Sequence, residues 1–239
     1  MDLETTTPGQ AGGGSSSSSS SSSSSHGSGL LIERIASPAA LEPHLASLRR
    51  LLQRCVNDDP TSSSIGFLAP LSDQAAIRYW LDLLPLPSSS PSSSSSTPSS
   101  SPSLSLLVAT HADVPGVLAT VQIALPAAQT HAHRGEVRKL LVHPTYRRHG
   151  FGRLMMAEVE RLARHELGLD VLTLDTAREA PAREFYRRAG WTEFGVAPDY
   201  AQWADGRRHA CSFFIKSIGA ERPERRRDED DEEERADDP

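Results

Sequence analysis

A β-prone segment that runs into a glycine- and arginine-rich turn carries the residue types best suited to chemistry. Val137–Val142 is rich in apolar side chains, which predicts a strand, and Pro144 ends it. Arg147, Gly150 and Gly152 follow in the pattern R-x-x-G-x-G at the start of a predicted helix. The glycines let the backbone approach a ligand closely, and the N–H groups and dipole of a helix N-terminus favour negative charge. The pattern therefore predicts a turn that holds a pyrophosphate.

The side chains around this turn support the same interpretation, although one alternative stays open. Arg147, Arg148 and Arg153 would add fixed positive charge at the helix end. A P-loop is excluded because no Gly-Lys-Ser/Thr follows. A Rossmann turn fits poorly because it needs G-x-G-x-x-G and a later acidic residue. The alternative is a glycine-rich turn between a strand and a helix that binds no ligand.

Hydrophobic periodicity predicts the elements that must position the turn. The strands are predicted at Leu30–Ile35, Leu104–Thr110, Gly116–Ala124, Gly135–Val142, Asp170–Asp175, Thr192–Val196 and His209–Ile215. The helices are predicted from Pro38 to about Val56, after a cap at Ser72 and Asp73, from the turn to about His165, and at Ala182–Ala189. Such a chain is expected to form an α/β (α+β) domain in which Asp170–Asp175 lies parallel to Gly135–Val142.

Three polar segments divide the chain. Residues 1–29 contain a serine run at Ser15–Ser25, residues 88–103 are almost wholly Ser and Pro, and residues 219–239 are acidic. All three are predicted to be disordered, because they bury too little apolar surface to offset the ordering of the backbone. Residues 30–218 without the insertion are enough for one domain.

The formal net charge of −6 is concentrated in the tail. Glu221–Pro239 holds 11 acidic residues and 5 arginines, a net of −6. Subtracting these from the totals of 31 acidic and 25 basic residues leaves 20 of each. A near-neutral domain gives no support for nucleic acid binding. The tail is predicted to be a solvated extension, and an interaction tail for basic partners is the alternative.

Cysteine usage and hydropathy limit the compartment. Cys55 and Cys211 are the only cysteines, and their separation is not that of a metal site. They suit a reducing environment, so an intracellular, cytoplasmic protein is expected, with the nucleus as an alternative. Met1–Gln10 lacks the apolar region of a signal peptide, and no run approaches the roughly 18 apolar residues of a membrane span. Neither a leader nor a membrane partner is expected.

With its flanking strand and helix, R-x-x-G-x-G resembles the signature Q/R-x-x-G-x-G/A of the GNAT superfamily of acyl-CoA-dependent N-acetyltransferases. The run A-R-E-F-Y-R-R-A-G-W at Ala182–Trp191 resembles the second block of that family, a tyrosine-bearing helix that leads into a Gly-aromatic pair. The resemblance covers about Leu30–Ile218. It implies a mixed central sheet of about six to seven strands flanked by about four helices, acetyl-CoA as the acyl donor, and no metal.

Within the superfamily, the sequence is most similar to the tabtoxin-resistance-type branch. The shared segments are E-V-x-K-L at Glu136–Leu140, L-D-T at Leu174–Thr176, F-Y at Phe185–Tyr186, P-D-Y at Pro198–Tyr200 and F-F-I-K at Phe213–Lys216. One position departs from the family pattern. Many GNATs carry an asparagine about seven residues before the helix tyrosine, in contact with the pantetheine. Glu179 occupies that position here, so this contact is not implied.

The resemblance implies where acetyl-CoA would bind. The backbone of Leu140–Val142, where the strand splays from its neighbour, would hold the pantetheine arm, and the N–H of about Leu141 would polarise the thioester carbonyl. The residues expected to contact the coenzyme are Leu140, Leu141, Val142, Arg147, Arg148, His149, Gly150, Phe151, Gly152, Arg153, Ala182 and Phe185.

Acetyl transfer to an amine needs a base for the amine proton, a donor for the developing oxyanion and an acid for the leaving thiolate. The resemblance implies direct attack in a ternary complex with Tyr186 as the acid. Glu136 is the first candidate for the base, and Asp175 would bind the amine or replace Glu136 as the base. His143 is a further candidate, as a proton shuttle. The structural alternatives are a core tyrosine for Tyr186, a solvated carboxylate for Glu136, a helix-capping or turn aspartate for Asp175 and a turn residue for His143.

In this family the two helices after the first strand form one wall of the acceptor pocket. Phe67 and Trp80 are expected there, although Trp80 and Tyr79 could equally be core aromatics. Asp199 and Tyr200, before the last strand, would close over the acceptor.

The predicted function is an acetyl-CoA-dependent N-acetyltransferase that acts on the amine of a small molecule, because the near-neutral domain lacks a long charged track for a protein tail. A protein or peptide N-acetyltransferase and a catalytically idle acyl-CoA-binding scaffold are the alternatives.

Overall fold

Strands and helices follow one another in the order that the periodicity predicts. The structure, a computed structural model, describes residues 23–26, 29–60, 66–84 and 104–219. Its strands are β1 (Ser23–His26), β2 (Leu30–Ile35), β3 (Leu104–His111), β4 (Val114–Ala124), β5 (Arg134–Val142), β6 (Val171–Ala177), β7 (Thr192–Gln202) and β8 (Arg208–Ser217). Its α-helices are α1 (Pro38–Leu41), α2 (Leu45–Asn57), α3 (Asp73–Asp82), α4 (Phe151–His165) and α5 (Pro181–Arg188).

The described strands form one mixed sheet in the order β1-β2-β3-β4-β5-β6-β8-β7. β5 and β6 are parallel, and the other neighbouring pairs are antiparallel. The last strand, β8, inserts between β6 and β7. The expected fold class is therefore confirmed as a mixed sheet with helices on both faces, to which the four-residue β1 adds an edge strand.

β1 lies within the segment predicted to be disordered. Ser23–His26 pair antiparallel with β2 over four positions. Strand pairing uses backbone N–H and C=O groups, which a serine run possesses like any other sequence, and it satisfies the outer edge of β2. Apart from Gly29 and Gly219, the other residues predicted to be disordered lie outside the described ranges.

The helix predicted from Pro38 to about Val56 is interrupted. α1 ends at Leu41, a 3₁₀ turn spans Glu42–His44, and α2 begins at Leu45. Pro43 explains the break, because it has no N–H to donate and its ring clashes with the carbonyl four residues earlier. The cap predicted for the next helix is confirmed, since the Ser72 hydroxyl accepts a hydrogen bond from the Ala75 N–H at 3.2 Å.

Two hydrophobic cores lie on opposite faces of the sheet. On one face, α4 and α5 enclose a buried cluster that includes Met155, Val159, Leu174 and Phe214. On the other face, α1–α3 enclose a second cluster with side chains from β2, β3, β4 and β5. The second cluster contains no described residue of β6 or β8. The α1–α3 layer therefore covers only one half of its face.

Candidate active site

The site is built where two parallel strands separate. β5 and β6 pair at Arg134–Glu136 and Val171–Thr173. Beyond Glu136 and Thr173, the described residues of these two strands do not pair with each other. The segments that follow, Val137–Val142 and Leu174–Ala177, border an opening in the sheet. This is the splay that the family resemblance implies. Parallel backbone edges that lack strand partners can bind an extended ligand such as a pantetheine arm.

A β-bulge in β5 changes which side chains face this opening. Arg138 pairs with Gln122 and Leu141 pairs with Thr120, so Lys139 and Leu140 together oppose one residue of β4. Lys139 has a φ of 51°, in the left-handed region. Because of the extra residue, Leu141 joins the α1–α3 core while Leu140 and Val142 pack against the α4–α5 core. The bulge therefore reverses the alternation of β5 at the mouth of the cleft.

The predicted pyrophosphate turn has a backbone suited to an anion. Gly150 is the N-cap of α4 with a φ of 88°, and Arg148 also lies in the left-handed region with a φ of 67°. No described atom lies within 4 Å of the position that a Cβ on Gly150 would occupy. Arg147, Arg148, His149 and Arg153 are exposed around it. An open glycine, the N–H groups of a helix start and exposed arginines fit the pyrophosphate of coenzyme A.

Side chains of α2 contact Arg147 and His143 beside this turn, a contact that the sequence did not predict. The Arg147 side chain donates to the Val142 carbonyl at 3.3 Å and approaches the Cys55 sulfur at 3.9 Å. Arg54 lies 3.2 Å from Nε2 of His143. Burial lowers the pKa of His143, and Arg54 lowers it further, so the neutral imidazole is favoured. Arg147 is thus positioned by α2 and by its own strand.

α5 forms the opposite side of the opening. The Phe185 ring lies 3.5 Å from the position that a Cβ on Gly152 would occupy, so α5 faces the first turn of α4. Arg183 and Arg187 both form ion pairs with Glu193 of β7. The nearby Ser212 hydroxyl and these two guanidinium groups lower the pKa of Glu193 to about 2. Glu193 is therefore ionised at neutral pH and holds α5 against the sheet.

Tyr186, the predicted acid, is 7% exposed on the inner side of α5. Its ring packs against Phe185, Trp191 and Phe214 at centroid distances of 5.2, 6.1 and 5.8 Å. Burial raises the pKa of Tyr186 well above its usual value, and the charge of Asp175 raises it further. The hydroxyl is therefore protonated at neutral pH, as an acid requires.

The two predicted carboxylates lie on the same face of the sheet, across the opening. Glu136 pairs with Thr173, and Asp175 lies two residues further along β6, so their side chains project to the same side. Burial and the Glu136 charge raise the pKa of Asp175, while Lys139 and Arg138 lower it. Arg138 is ion-paired to Glu136. The structure thus brings Glu136 and Asp175 together and adds two cations that the site prediction did not include.

Lys139 belongs to an aromatic and polar cluster on this face. Its ammonium lies 5.5 Å from the centre of the Phe67 ring and 6.0 Å from that of Tyr79. The Tyr79 hydroxyl exchanges hydrogen bonds with the Gln122 amide at 2.9 and 3.1 Å. Burial lowers the pKa of Lys139 and raises the pKa of Tyr79 to about 12. Phe67 therefore lies beside Lys139, on the same face of the sheet as Glu136.

A signal for Lys139 is present in the sequence. In Glu136–Val142 the alternation of polar and apolar residues changes phase at Arg138 and Lys139. Such a phase change is the mark of a bulge, because a one-residue insertion moves the following side chains to the opposite face. The contacts of Tyr79 and Gln122 carry no comparable signal, since these residues are 43 positions apart.

Trp80 is not placed where the prediction put it. Its side chain is fully buried, with a relative exposure of 0%, among the residues of the α1–α3 core. On α3 the neighbouring position, Tyr79, points toward Gln122 and the cleft instead. Consecutive helical residues differ by about 100° in direction, so only one of the two can face the site. The alternative interpretation of Trp80 as a core aromatic is the correct one.

Asp199 and Tyr200 lie in an irregular part of β7 near Asp175. The β7–β8 register shifts between Ala197 and Ala201, and Asp199 has a φ of 48°. Tyr200 is 58% exposed, and its ring meets Phe213 edge-on at 5.0 Å. Phe213 pairs directly with Asp175. The irregular segment therefore brings Tyr200 to the face of the sheet that carries Asp175.

A pocket of about 290 Å³ opens on the same face, between the end of β4 and the start of β5. Glu136, Arg138 and Thr173 line it. Cys55 and Cys211 both lie within the described residues, are buried, and are not bonded to each other. In the described ranges we find no group of three or more His, Cys, Asp and Glu side chains that could hold a metal ion. Nor does any helix in those ranges have the length and apolarity needed to cross a bilayer.

The cleft and turn are the features expected of an acyl-CoA-dependent transferase. The sequence profile described as Acetyltransferase (GNAT) family matches residues 75–191. This match identifies residues 75–191 as a GNAT acetyltransferase region. An N-acetyltransferase of this type takes its acyl group from acetyl-CoA.

Solved structures share this fold at low sequence identity. A protein assigned as a phosphinothricin N-acetyltransferase is 16% identical with a TM-score of 0.56, covering 79% of this chain and 99% of its own. The ribosomal-protein-alanine N-acetyltransferase of Brucella melitensis is 20% identical with a TM-score of 0.55, covering 78% and 98%. The yncA protein of Salmonella typhimurium, solved with acetyl-CoA, is 12% identical with a TM-score of 0.52, covering 80% and 95%. At these identities the likeness shows the fold.

Proposed function

We propose that this protein transfers the acetyl group of acetyl-CoA to the amine of a small molecule, by direct attack within a ternary complex. The observation that carries the proposal is the opening between β5 and β6, which has Glu136 and Asp175 on one face of the sheet and Tyr186 buried in the core on the other face. A base, an acid and a bordered cleft are the parts that acyl transfer to an amine requires.

Different groups of the chain bind the coenzyme, orient it and transfer protons. The turn at Arg147–Arg153 binds the coenzyme phosphates, and the backbone of Leu140–Val142 orients the pantetheine arm. Bound acetyl-CoA supplies an activated thioester. The N–H of about Leu141 stabilises negative charge at the acetyl carbonyl. Asp175 or Glu136 takes the amine proton, and Tyr186 donates a proton to the departing sulfur.

The acceptor lies on the α1–α3 side of the sheet in this proposal. Phe67, Asp199 and Tyr200 border that side, and Lys139 and Arg138 add positive charge there. We place the chain in the tabtoxin-resistance-type branch, and the fold shared with a protein assigned as a phosphinothricin N-acetyltransferase is in keeping with it. The two buried cysteines suit a cytoplasmic location.

A protein or peptide acceptor is the second candidate. A ribosomal-protein-alanine N-acetyltransferase has the same fold, so the fold is compatible with such an acceptor. The third, an idle acyl-CoA-binding scaffold, requires that the site has no turnover. The experiment is thiol release from acetyl-CoA across amino acids, polyamines, amine antibiotics and peptides, with acetyl-CoA binding measured by calorimetry. Release with a small amine supports the proposal, and release with peptides alone contradicts it.

Tyr186→Phe separates the enzyme from the scaffold. The ring remains, so the packing against Trp191 and Phe214 is kept, but the proton donor is lost. We expect kcat to fall by about 10²–10⁴, the usual contribution of a general acid, with an unchanged Kd for acetyl-CoA. Unaltered turnover in this variant would remove Tyr186 from the mechanism.

A further inference from the structure

An exposed apolar surface lies beside the candidate acceptor site. We call it the aromatic shelf, and it consists of Phe194, Tyr200, Phe213 and Ile215. Phe194 is 60% exposed, Tyr200 is 58% exposed and Ile215 is 37% exposed. The ring of Phe213 joins the two aromatic residues, at 5.0 Å from Tyr200 and 6.2 Å from Phe194, and Ile215 is the next residue of β8 on the same face. These side chains form one continuous surface.

The shelf faces the acceptor side of the sheet. Phe213 pairs with Asp175 and Ile215 pairs with Thr173, so each pair projects to the same side. Phe214, between them, points into the α4–α5 core. The buried core under α1–α3 includes no described residue of β6 or β8, which leaves this half of the sheet uncovered. The shelf is therefore continuous with the wall that carries Asp175.

The backbone of β7 is distorted in a way that builds the shelf. Between Ala197 and Ala201, β7 advances by four residues while β8 advances by two, from Cys211 to His209. The extra residues protrude, and Asp199 takes a left-handed φ of 48°. This bulge places the Tyr200 ring over Phe213. A regular strand would space Tyr200 further along the edge.

We propose that the aromatic shelf binds an apolar side chain of the acceptor, and that the acceptor is therefore a primary amine with an aromatic or branched aliphatic group close to the amine-bearing carbon. The inference rests on the proposed function. Directly paired side chains lie about 4.5–5.5 Å apart at Cβ, so a group on Phe213 lies within a few bonds of an amine at Asp175. A carboxylate beside an apolar surface recognises an ammonium that carries an apolar substituent.

The continuity of the shelf with Asp175 favours the acceptor as the occupant over a second copy of the chain. A stable interface between copies buries roughly 800 Å² on each side, which is much more than four side chains supply. The shelf also ends at the cleft, where a small ligand would lie with its amine between Asp175 and Glu136.

The test compares matched acceptors with the full chain. Glycinamide, leucinamide and phenylalaninamide differ only in the side chain, and each is measured for kcat/KM by thiol release and for Kd by NMR. We expect kcat/KM for phenylalaninamide to exceed that for glycinamide by at least about tenfold, which is about 1.4 kcal/mol. Tyr200→Ala and Phe194→Ala should remove most of this preference. Leu31→Ala on β2, an exposed apolar residue 38% accessible, is the matched control and should keep it.

The outcomes are separable. Turnover of all three amides with equal kcat/KM, or an undiminished preference in Tyr200→Ala and Phe194→Ala, would overturn the shelf as an acceptor site while leaving the acetyltransferase in place. Side-chain-dependent Kd values without thiol release would support the shelf and count against the proposed function. If Tyr200→Ala converts a dimer to a monomer in sedimentation while acceptor preference is unchanged, the shelf is an interface between copies and the inference fails.

Discussion

At the scale of single residues, the candidate site is an arrangement of four charges on one face of the sheet. Asp175 is subject to opposing influences, because burial and Glu136 raise its pKa whereas Lys139 and Arg138 lower it. The same Asp175 charge helps to keep the Tyr186 hydroxyl protonated. Lys139 would therefore influence the reaction without contact with the acetyl-CoA sulfur, by lowering the pKa of Asp175, a candidate base for the amine proton.

The pH dependence of turnover tests this arrangement. A base must be deprotonated, so kcat/KM falls as the pH drops below the pKa of that base. Lys139→Met removes a cation that stabilises the Asp175 carboxylate, so the pKa of Asp175 rises and the acidic limb of the profile moves to higher pH. Lys139→Arg keeps the charge and should leave the limb in place. A limb that stays unmoved in Lys139→Met would contradict Asp175 as the base, and the activities of Glu136→Gln and Asp175→Asn would then be compared directly.

At the scale of elements, the bulge in β5 shapes the cleft and the N-terminus of α4 forms the predicted pyrophosphate turn. The bulge and the short β5–β6 pairing open the sheet, and the turn at Arg147–Gly152 has the N–H groups of a helix start and exposed arginines that would suit an anion. Both features depend on left-handed residues, namely Lys139, Arg148 and Gly150. Glycine is the residue that adopts this conformation without a steric cost, and Gly150 is the helix N-cap.

Alanine at the glycines of α4 should separate backbone strain from ligand contact. Gly150→Ala and Gly168→Ala each place a Cβ on a residue of positive φ, with no described atom within 4 Å, so each should cost about 1 kcal/mol of stability. Of these two variants, only Gly150→Ala, at the turn, should weaken acetyl-CoA binding in calorimetry. In Gly152→Ala the new Cβ would lie at an ordinary 3.5 Å from Phe185, so the fold should keep its stability. Gly152→Ala should still weaken binding, because the Cβ lies on the turn that the ligand would approach. Equal Kd values in all three variants would contradict a pyrophosphate site on this turn.

At the scale of the whole molecule, a sheet with a core on each face supports the cleft from both sides, and the end of β8 closes the α4–α5 core. Ile218 is 1% exposed, its N–H donates to the Asp170 carbonyl at 2.8 Å, and its carbonyl accepts from Arg164. Gly219 donates to the same Asp170 carbonyl at 3.0 Å. The packed and hydrogen-bonded part of the described chain therefore extends through residue 219.

Truncation should show where the domain ends. The composition of residues 220–239 predicts a solvated extension, so on their removal we expect the free energy of unfolding to change by less than about 0.5 kcal/mol. Removal of Ile218 and Gly219 as well should cost about 2–4 kcal/mol, through lost burial and backbone hydrogen bonds. Thermal unfolding followed by circular dichroism measures both. A large loss from the shorter truncation would mean that the acidic tail contributes to the folded domain.

Local patterns in the sequence predicted most of the elements and the coenzyme turn. Apolar spacing predicted β2–β8 and the main helices, since burial of one face requires a period of 2 or 3.6 residues. Ser72 as a cap, Gly150 as a glycine of the turn and the parallel β5–β6 pair all followed from neighbours within a few residues. The split of the first helix at Pro43 and the pairing of β1 were missed, although the former has a local cause.

The sequence by itself determined the class of fold, the position of the predicted pyrophosphate turn and three candidate proton-transfer residues, because each depends on residues close together in the chain. Tertiary structure alone decided that Trp80 is core while Tyr79 faces Gln122, that Lys139 lies over Phe67, and that Phe213 adjoins Asp175. These contacts join residues that are 38 or more positions apart in most cases, as for Asp175 and Phe213. Their geometry depends on strand register and on one bulge, and a shift of a single residue would turn the same side chains to the other face.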